Sequence, residues 1–116
     1  MLKKYKLKWS RTAQYDLGAI YLYYVGQVLS EIAEKISLQI LNTVNTAVLK
    51  FPWSGQAFYG PANKAHLNCR SIIADTYKIF YLIHENQIQV VAVLDMRRNI
   101  DDIMAERADH FKHLIG

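Results

Sequence analysis

The side chains in this sequence that could carry out chemistry are arginines placed in predicted strands. Arg70 lies in the middle of one strand, which is a costly position for a permanent cation unless the side chain faces water or an anion. Arg97 and Arg98 lie where the last predicted strand ends. Two guanidinium groups that meet on one open sheet face would bind a phosphodiester bidentately and stabilise the charge that develops when it is cleaved. Lys64 and His66, which precede the strand of Arg70, would add a cation and a group for proton transfer.

A second interpretation of the same arginines requires no catalysis. Arg97 shares strand parity with Asp95, so the two side chains can form an ion pair at the surface. Arg98 is then simply solvated, whereas in the catalytic interpretation it contributes to target binding. The residues alone support the two interpretations equally.

Other kinds of site find little support in the sequence. The histidines are His66, His84, His110 and His113, and no CxxC or HExxH pattern accompanies them. A metal site with three or four converging ligands is therefore not expected. No glycine-rich phosphate loop or GxSxG nucleophile motif occurs. Cys69 is the single cysteine, and we expect it to be a packing residue rather than a nucleophile. The sequence thus predicts a protein without a metal ion or another cofactor.

Composition indicates a globular protein with one domain. The chain has 116 residues, of which 52% are hydrophobic and 21% charged, which excludes a disordered polypeptide and is typical of one domain over residues 1–116. No stretch has the roughly 18 apolar residues that span a bilayer, and the N-terminus lacks the hydrophobic block of a signal peptide. The net charge of +4 suits a partner that carries phosphates. A single cysteine cannot form an intrachain disulfide, so a reducing compartment fits best. We therefore expect a soluble cytoplasmic protein.

The first half of the chain predicts a strand and two helices. Residues 3–9 alternate lysine with apolar side chains, which predicts a strand whose lysines protect a sheet edge. Ser10 is a typical N-cap for a helix that extends to about residue 28, and Ser30 for a second helix that extends to about residue 49. Because only a short break separates these helices, they should form an antiparallel hairpin. A loop rich in glycine, proline and aromatic residues follows to about residue 65.

Three further strands and a helix complete the predicted order. The strands cover residues 67–73, 77–84 and 87–94, and apolar residues on both faces of the last one predict an interior strand. Asn99 is a typical N-cap for the final helix. The order strand, helix, helix, strand, strand, strand, helix predicts an α+β fold. In this fold a helical hairpin packs on a four-stranded, mainly antiparallel sheet.

The sequence resembles the RelE/ParE superfamily of toxins from type II toxin–antitoxin systems over nearly its whole length. The matching pieces are the opening strand at residues 5–10, the first-helix pattern Ala13, Asp16, Leu17, Ile20 and Tyr24, the end of the second helix with Leu49, Phe51, Pro52 and Gly55, Arg70 ahead of residues 77–81, and the final run of Ile88 and residues 93–99. The order and spacing of these pieces together make the resemblance specific. The superfamily fold is a helical hairpin on a curved antiparallel sheet, which agrees with the fold predicted above.

The resemblance implies a growth-inhibiting toxin that is neutralised by a tightly bound antitoxin encoded beside it. RelE-like members cut mRNA in the ribosome without a metal ion, whereas ParE-like members inhibit DNA gyrase and lack the nuclease residues. By position, Arg70 and either Arg97 or Arg98 match the arginines of the nucleases. Lys64 and His66 fall roughly where the nucleases have basic residues ahead of the first of these arginines.

The resemblance leaves the target and the activity open. The nucleases place a tyrosine, or a histidine–tyrosine pair, near the end of the last strand, whereas this chain has no tyrosine after Tyr81. Three interpretations are therefore retained: a ribosome-dependent endoribonuclease, a gyrase inhibitor, and an inactive or non-enzymatic module that binds the antitoxin. The partners are then the antitoxin and either the ribosome with its mRNA or gyrase. The assembly would be a homodimer or a hetero-oligomer with the antitoxin, away from any membrane.

Overall fold

Three helices and five strands make up the chain within residues 4–27, 29–58 and 68–111, which are described by a computed structural model. In chain order the elements are β1 (Lys6–Trp9), α1 (Arg11–Val25), α2 (Ser30–Thr43), β2 (Gln56–Ala57), β3 (Asn68–Ala74), β4 (Tyr77–His84), β5 (Gln87–Asp95) and α3 (Ile100–Phe111). A π-helical turn, Val44–Val48, continues α2, and a 3-10 turn, Pro52–Ser54, precedes β2. This arrangement confirms the predicted α+β class.

The strands form one mixed sheet in the order β1–β5–β4–β3–β2. β1 runs parallel to β5, and the other neighbours are antiparallel. The sheet has one strand more than the four predicted, because β2 lies within the predicted loop. β2 pairs with β3 through Gln56 and Ala57 alone, and two residues leave no periodicity that a sequence could reveal. The interior position predicted for the last strand is confirmed, since β5 lies between β1 and β4.

The two serines predicted to cap helices differ in the structure. The Ser10 hydroxyl oxygen accepts a hydrogen bond from the Ala13 N–H at 3.0 Å, which confirms Ser10 as the N-cap of α1. Ser30 was predicted to cap α2, and this was wrong. The helix begins at Ser30 itself, so the cap position falls to Leu29, which has no side-chain acceptor.

Hydrophobic side chains fill both faces of the sheet. On one face, the hairpin of α1 and α2 packs over a cluster that includes Ile79, Tyr81, Ile83, Ile88, Val90 and Val93. On the other face, α3 packs over a cluster that includes Phe80, Leu82, Val91, Ala92, Leu94, Met104 and Phe111. The sheet is therefore a central layer between the hairpin and α3.

A β-bulge in β5 determines which side chains face the hairpin at the end of that strand. Tyr81 is opposite Val90 and Phe80 is opposite Ala92, so Val91 is an extra residue in β5. Side chains alternate between the faces of a strand, and the extra residue shifts this alternation by one. Val93 therefore faces the hairpin, as Val90 does. The side chains of Asp95 and Arg97 keep the parity of Val93 and border a cleft beside α1.

A bidentate ion pair joins α1 to α3. Arg107 donates from Nη1 to Asp16 Oδ2 at 2.7 Å and from Nη2 to Asp16 Oδ1 at 2.9 Å. Asp16 Oδ2 also accepts a hydrogen bond from the Val93 N–H at 3.0 Å. Because β1 pairs with β5 only as far as Val90, the Asp16 carboxylate supplies an acceptor that no strand provides to this buried N–H. Asp16 therefore connects α1, β5 and α3.

We predict that Asp16→Asn lowers the free energy of unfolding by about 2–3 kcal/mol, because Arg107 would lose its anionic partner. The loss is expected below that of a fully buried pair, since the Arg107 side chain is 19% exposed. Urea unfolding monitored by circular dichroism measures the change. Glu34→Gln, an equivalent substitution at an exposed position of α2, should leave the midpoint nearly unchanged. Equal effects of the two substitutions would contradict this role of the ion pair.

Candidate functional site

Arg70 is held by main-chain carbonyl groups next to β2. Its Nη1 donates to the carbonyl oxygen of Gly55 at 2.7 Å and to that of Trp53 at 3.0 Å. Its Nε donates to Asn68 Oδ1 at 3.2 Å, and its guanidinium carbon lies 5.0 Å from the centre of the Trp53 ring. The guanidinium thus fastens the 3-10 turn to β3 and satisfies carbonyl oxygens at this edge of the sheet.

Tyr81 lies opposite Arg70 on β4 and strengthens the same attachment. Its buried hydroxyl donates to the Pro52 carbonyl oxygen at 2.8 Å. A Cβ atom at Gly55 would collide with the Tyr81 hydroxyl, so this close approach requires glycine. Burial raises the pKa of Tyr81 to about 12, and the phenol therefore keeps its proton at neutral pH. Tyr81 is suited to holding the turn and not to acting as a general base.

Arg97 forms the surface ion pair with Asp95 that the second interpretation predicts. Arg97 Nη2 donates to Asp95 Oδ2 at 2.6 Å, and Arg97 Nε donates to Asp95 Oδ1 at 3.0 Å. The main-chain N–H of Arg97 also donates to Asp95 Oδ1, at 2.9 Å. Hydrogen bonds from the Arg97 side chain and main chain lower the pKa of Asp95 from its ordinary value of 3.8 to about 2. The charge of Arg97 is therefore matched locally at neutral pH.

The two arginines of the predicted catalytic pair lie in separate networks. Arg70 is level with Tyr81 on β4, and Asp95 is level with Tyr77. These two levels are separated by about 13 Å of strand, and Arg97 lies two residues beyond Asp95. The structure thus places both arginines on the hairpin side of the sheet without bringing their guanidinium groups together.

Three further candidate residues are Lys64, His66 and Arg98, and the structure describes only the last of them. Lys64 and His66 lie outside the described residues. Arg98 is described, and its exposed side chain borders the same cleft as Arg97. Catalytic roles for Arg70, Arg97, Lys64 and His66 remain predictions, and so does target binding by Arg98.

A cleft of about 450 Å³ lies at the end of β5 between α1 and α3. It is lined by tyrosines, arginines and two carboxylates: Tyr15, Asp16, Ala19, Ile20, Tyr23, Tyr77, Val93, Asp95, Arg97, Arg98 and Arg107. The Asp16–Arg107 pair forms part of its wall, and the Tyr77 hydroxyl donates to the Tyr24 hydroxyl at 3.2 Å beside it. At the rim, Tyr15 is 77% and Tyr23 58% exposed. The cleft combines exposed aromatic surface with guanidinium groups, which is a chemistry typical of recognition sites.

A second, apolar groove of about 560 Å³ lies between α1 and α2. It is lined by Trp9, Gln14, Leu17, Gly18, Tyr21, Ser37 and Leu41. A Cβ atom built on Gly18 would have no neighbouring atom within 4 Å, so the groove is open at this point. Nearby on α2, the Leu38 side chain is 64% exposed. An open apolar surface of this kind is typical of a protein-binding site.

The described residues offer little support for nucleophilic or metal chemistry. Cys69 is fully buried, and burial raises the pKa of its thiol to about 12, so it is a poor nucleophile. No group of three or more His, Cys, Asp or Glu side chains converges among them in a way that could hold a metal ion. Of the helices in the described ranges, none combines the length and apolar character needed to cross a bilayer.

Sequence reasoning did not select the residues that form the cleft around Arg97 and Arg98. The sequence did contain one indication of this cleft. Asp16 lies on α1 about one turn from Ala13 and from Ile20, on the apolar face of the helix, where a buried charge needs a partner. Its partner Arg107 is 91 residues later in the chain, and no spacing rule connects positions that far apart.

We predict unequal effects on stability for alanine at the two candidate arginines. Arg70→Ala should lower the free energy of unfolding by about 1–3 kcal/mol, because the carbonyl oxygens of Trp53 and Gly55 would lose their donor. Arg97→Ala should leave the unfolding midpoint nearly unchanged, because Arg97 is exposed and water can replace its contacts. Chemical unfolding of both variants, with Arg70→Lys as the charge-conserving control, tests this. A stability of Arg70→Ala equal to that of Arg97→Ala would contradict it.

Comparison with known proteins identifies the family. The sequence profile of the ParE toxin of the type II toxin–antitoxin system parDE matches residues 7–100. A search of curated proteins gave no significant match. Among solved structures, the chromosomal ParDE toxin–antitoxin system from P. aeruginosa contains a chain with the same fold, with a TM-score of 0.63 and 23% sequence identity over 79% of this chain and 96% of that one. The profile match covers most of the chain, which therefore belongs to the ParE family of type II toxins within the RelE/ParE superfamily.

Proposed function

We propose that this toxin arrests growth by binding and inhibiting DNA gyrase, as ParE-like members of the superfamily do. The observation that carries the proposal is the engagement of the two candidate arginines. Arg70 donates to main-chain carbonyl oxygens and Arg97 to Asp95. A guanidinium held in this way has to give up these bonds before it can stabilise a scissile phosphate. The lack of any tyrosine after Tyr81 supports the same proposal, because the nucleases use an aromatic residue there.

Gyrase inhibition of this kind needs a protein-binding surface and no cleavage centre. The protein would act by occupying a site on the enzyme, so its toxicity would depend on exposed residues and on the rigidity of the fold beneath them. The two surfaces described above, the cleft and the apolar groove, are the places where such contacts can form.

Induction of the protein without its antitoxin is expected to stop DNA synthesis before protein synthesis. Pulse labelling with thymidine and leucine measures the order, and purified toxin added to purified gyrase measures inhibition of supercoiling directly. Gyrase-trapped DNA breaks should accumulate in the induced cells. If leucine incorporation stops first and mRNA is cut at ribosome-bound codons, the gyrase proposal is wrong and the nuclease interpretation replaces it. Continued growth would instead indicate an inactive member.

The antitoxin is the partner that a type II toxin requires, and we infer that it binds the apolar groove between α1 and α2. Leu17, Tyr21 and Leu41 give the groove an apolar lining. An amphipathic helix or an extended segment with apolar side chains can cover such a surface. Covering it would remove exposed apolar area from water, which favours tight association.

Gly18→Gln should separate toxicity from neutralisation. Because a Cβ atom at Gly18 has no neighbouring atom within 4 Å, glutamine should fit the helix without strain and extend over the groove. Helix propensity should make the variant more stable by about 0.5–1 kcal/mol. We expect its affinity for the antitoxin to fall about 100-fold, whereas Gly18→Ala should bind within about threefold of the parent.

Binding of purified antitoxin by calorimetry, together with growth of cells that co-express both proteins, measures the effect of Gly18→Gln. Cells with Gly18→Gln should stop growing even when the antitoxin is present. Rescue of that variant by the antitoxin to the same extent as the parent protein would exclude the groove as the binding site.

A further inference from the structure

Three residues of the cleft, Tyr15, Tyr23 and Arg98, keep exposed side-chain surface, although the Tyr23 ring also contacts the Tyr24 ring at 5.1 Å between centroids. Tyr15 and Tyr23 are eight residues apart on α1, with Ala19 between them, so both rings lie along one line of the helix. Both are exposed, and the small side chain of Ala19 leaves a gap between them. Arg98 lies on the opposite wall, at the end of β5. A partner could therefore contact two rings and one guanidinium at the same time.

The charges of the cleft leave one cation available. Asp16 is bound by Arg107 and the Val93 N–H, and Asp95 is bound by Arg97. Within the described part of the chain, the Arg98 side chain makes no hydrogen bond or ion pair, and its exposed position lets it reach a bound molecule. A guanidinium binds a carboxylate or a phosphate in two-point geometry, so an anionic group of a partner suits Arg98.

A protein segment suits this cleft better than a nucleic acid. The walls contain the carboxylates of Asp16 and Asp95, and the exposed side chains of Asp101 and Asp102 follow Arg98 at the start of α3. A nucleic acid brings a negative charge with every phosphate and would meet the exposed carboxylates of Asp101 and Asp102, whereas Asp16 and Asp95 are already matched by Arg107 and Arg97. A peptide segment can bring a single carboxylate for Arg98 beside an apolar side chain that packs against tyrosine rings.

The cleft and the apolar groove lie on different sides of α1. At about 100° per residue, the mean direction of Tyr15, Ala19 and Tyr23 lies about 130° from that of Gln14, Gly18 and Tyr21. The buried face of the helix, with Ala13 at its centre, lies between them. Two partners can therefore bind α1 through separate surfaces.

We propose that the cleft is the surface through which the toxin binds its target protein, with an acidic side chain of the target on Arg98 and an adjoining apolar side chain between Tyr15 and Tyr23. This inference rests on the proposed function, in which the target is a protein and not an RNA. It assigns target binding and antitoxin binding to different sides of one helix.

Charge reversal and ring removal in the cleft test the proposal. Arg98→Glu and Tyr15→Ala should each weaken binding of the purified toxin to purified gyrase by about tenfold or more and reduce growth arrest. Arg98→Lys should lose less binding than Arg98→Glu, because it keeps the positive charge but not the two-point geometry of the guanidinium. The matched controls are Arg11→Glu and Leu22→Ala, which change exposed residues of α1 that do not line the cleft. Both controls should bind gyrase as the parent does.

Antitoxin affinity and the unfolding midpoint are measured for every variant, because they separate a lost contact from a damaged fold. Arg98→Glu and Tyr15→Ala should leave both quantities unchanged. If Arg98→Glu lowers the midpoint, Tyr15→Ala and Arg98→Gln decide the outcome instead. Variants that fold correctly and bind gyrase as tightly as the parent would overturn the assignment of the cleft, while inhibition of gyrase by the parent would still stand.

Further outcomes distinguish a failure of the gyrase proposal from a failure of the cleft proposal. A parent protein that leaves gyrase unbound and stops translation rejects gyrase as the target. In that case, cleft variants that remain fully toxic also reject the cleft. If the variants instead lose binding to a single-stranded RNA oligonucleotide together with toxicity, the acidic protein segment is the wrong ligand, and the cleft is a nucleic-acid site.

Discussion

The carboxylate of Asp16 is the constraint on which the arrangement of this toxin depends. It accepts hydrogen bonds from Arg107 on α3 and from the Val93 main chain on β5, so one side chain of α1 fixes the position of two other elements. A nearly buried carboxylate without these donors would carry a large desolvation penalty. One donor lies on α3 and the other on β5 beyond the last residue paired with β1, so Asp16 holds α3 against the end of β5. The wall of the cleft is built by this arrangement.

The surface of α1 has a different chemical character on each of its sides. One side is buried on the sheet, a second is an apolar groove shared with α2, and a third combines exposed tyrosines with arginines from the end of β5. A toxin of this family has to be recognised by a neutralising partner and also to act on a target. A single helix that presents two surfaces of unlike chemistry offers a physical basis for keeping these events distinct, because each partner is selected by a different kind of contact.

Local patterns in the sequence predicted most elements of the fold, and long-range pairings escaped them. The limits of β4 and the N-cap role of Ser10 follow from alternation and from side-chain chemistry within a few residues. The parallel pairing of β1 with β5 and the short strand β2 depend on partners far along the chain, so no window of sequence contains them. The same difference between local and long-range contacts applies to the two arginines of the candidate site. The Arg97–Asp95 pair is local and was one of the two interpretations that the sequence supported, whereas the carbonyl partners of Arg70 lie 15 and 17 positions earlier.

The extra residue Val91 has a consequence for how such surfaces change over evolution. Upstream of the bulge, Ile88 and Val90 face the hairpin, and a regular strand would continue that series with Ala92, Leu94 and Met96. The bulge interrupts that series, so Val93 faces the hairpin and Ala92 and Leu94 face the α3 side. Deletion of the extra residue would leave these faces unchanged, because Ala92, Val93, Leu94 and Asp95 would then continue the alternation that ends at Val90. Insertion of one residue between Val93 and Asp95 would instead turn Asp95 and Arg97 toward α3. This end of the molecule can therefore lose its bulge and keep its surface, whereas a change of length beyond Val93 would replace the charged side chains with apolar ones.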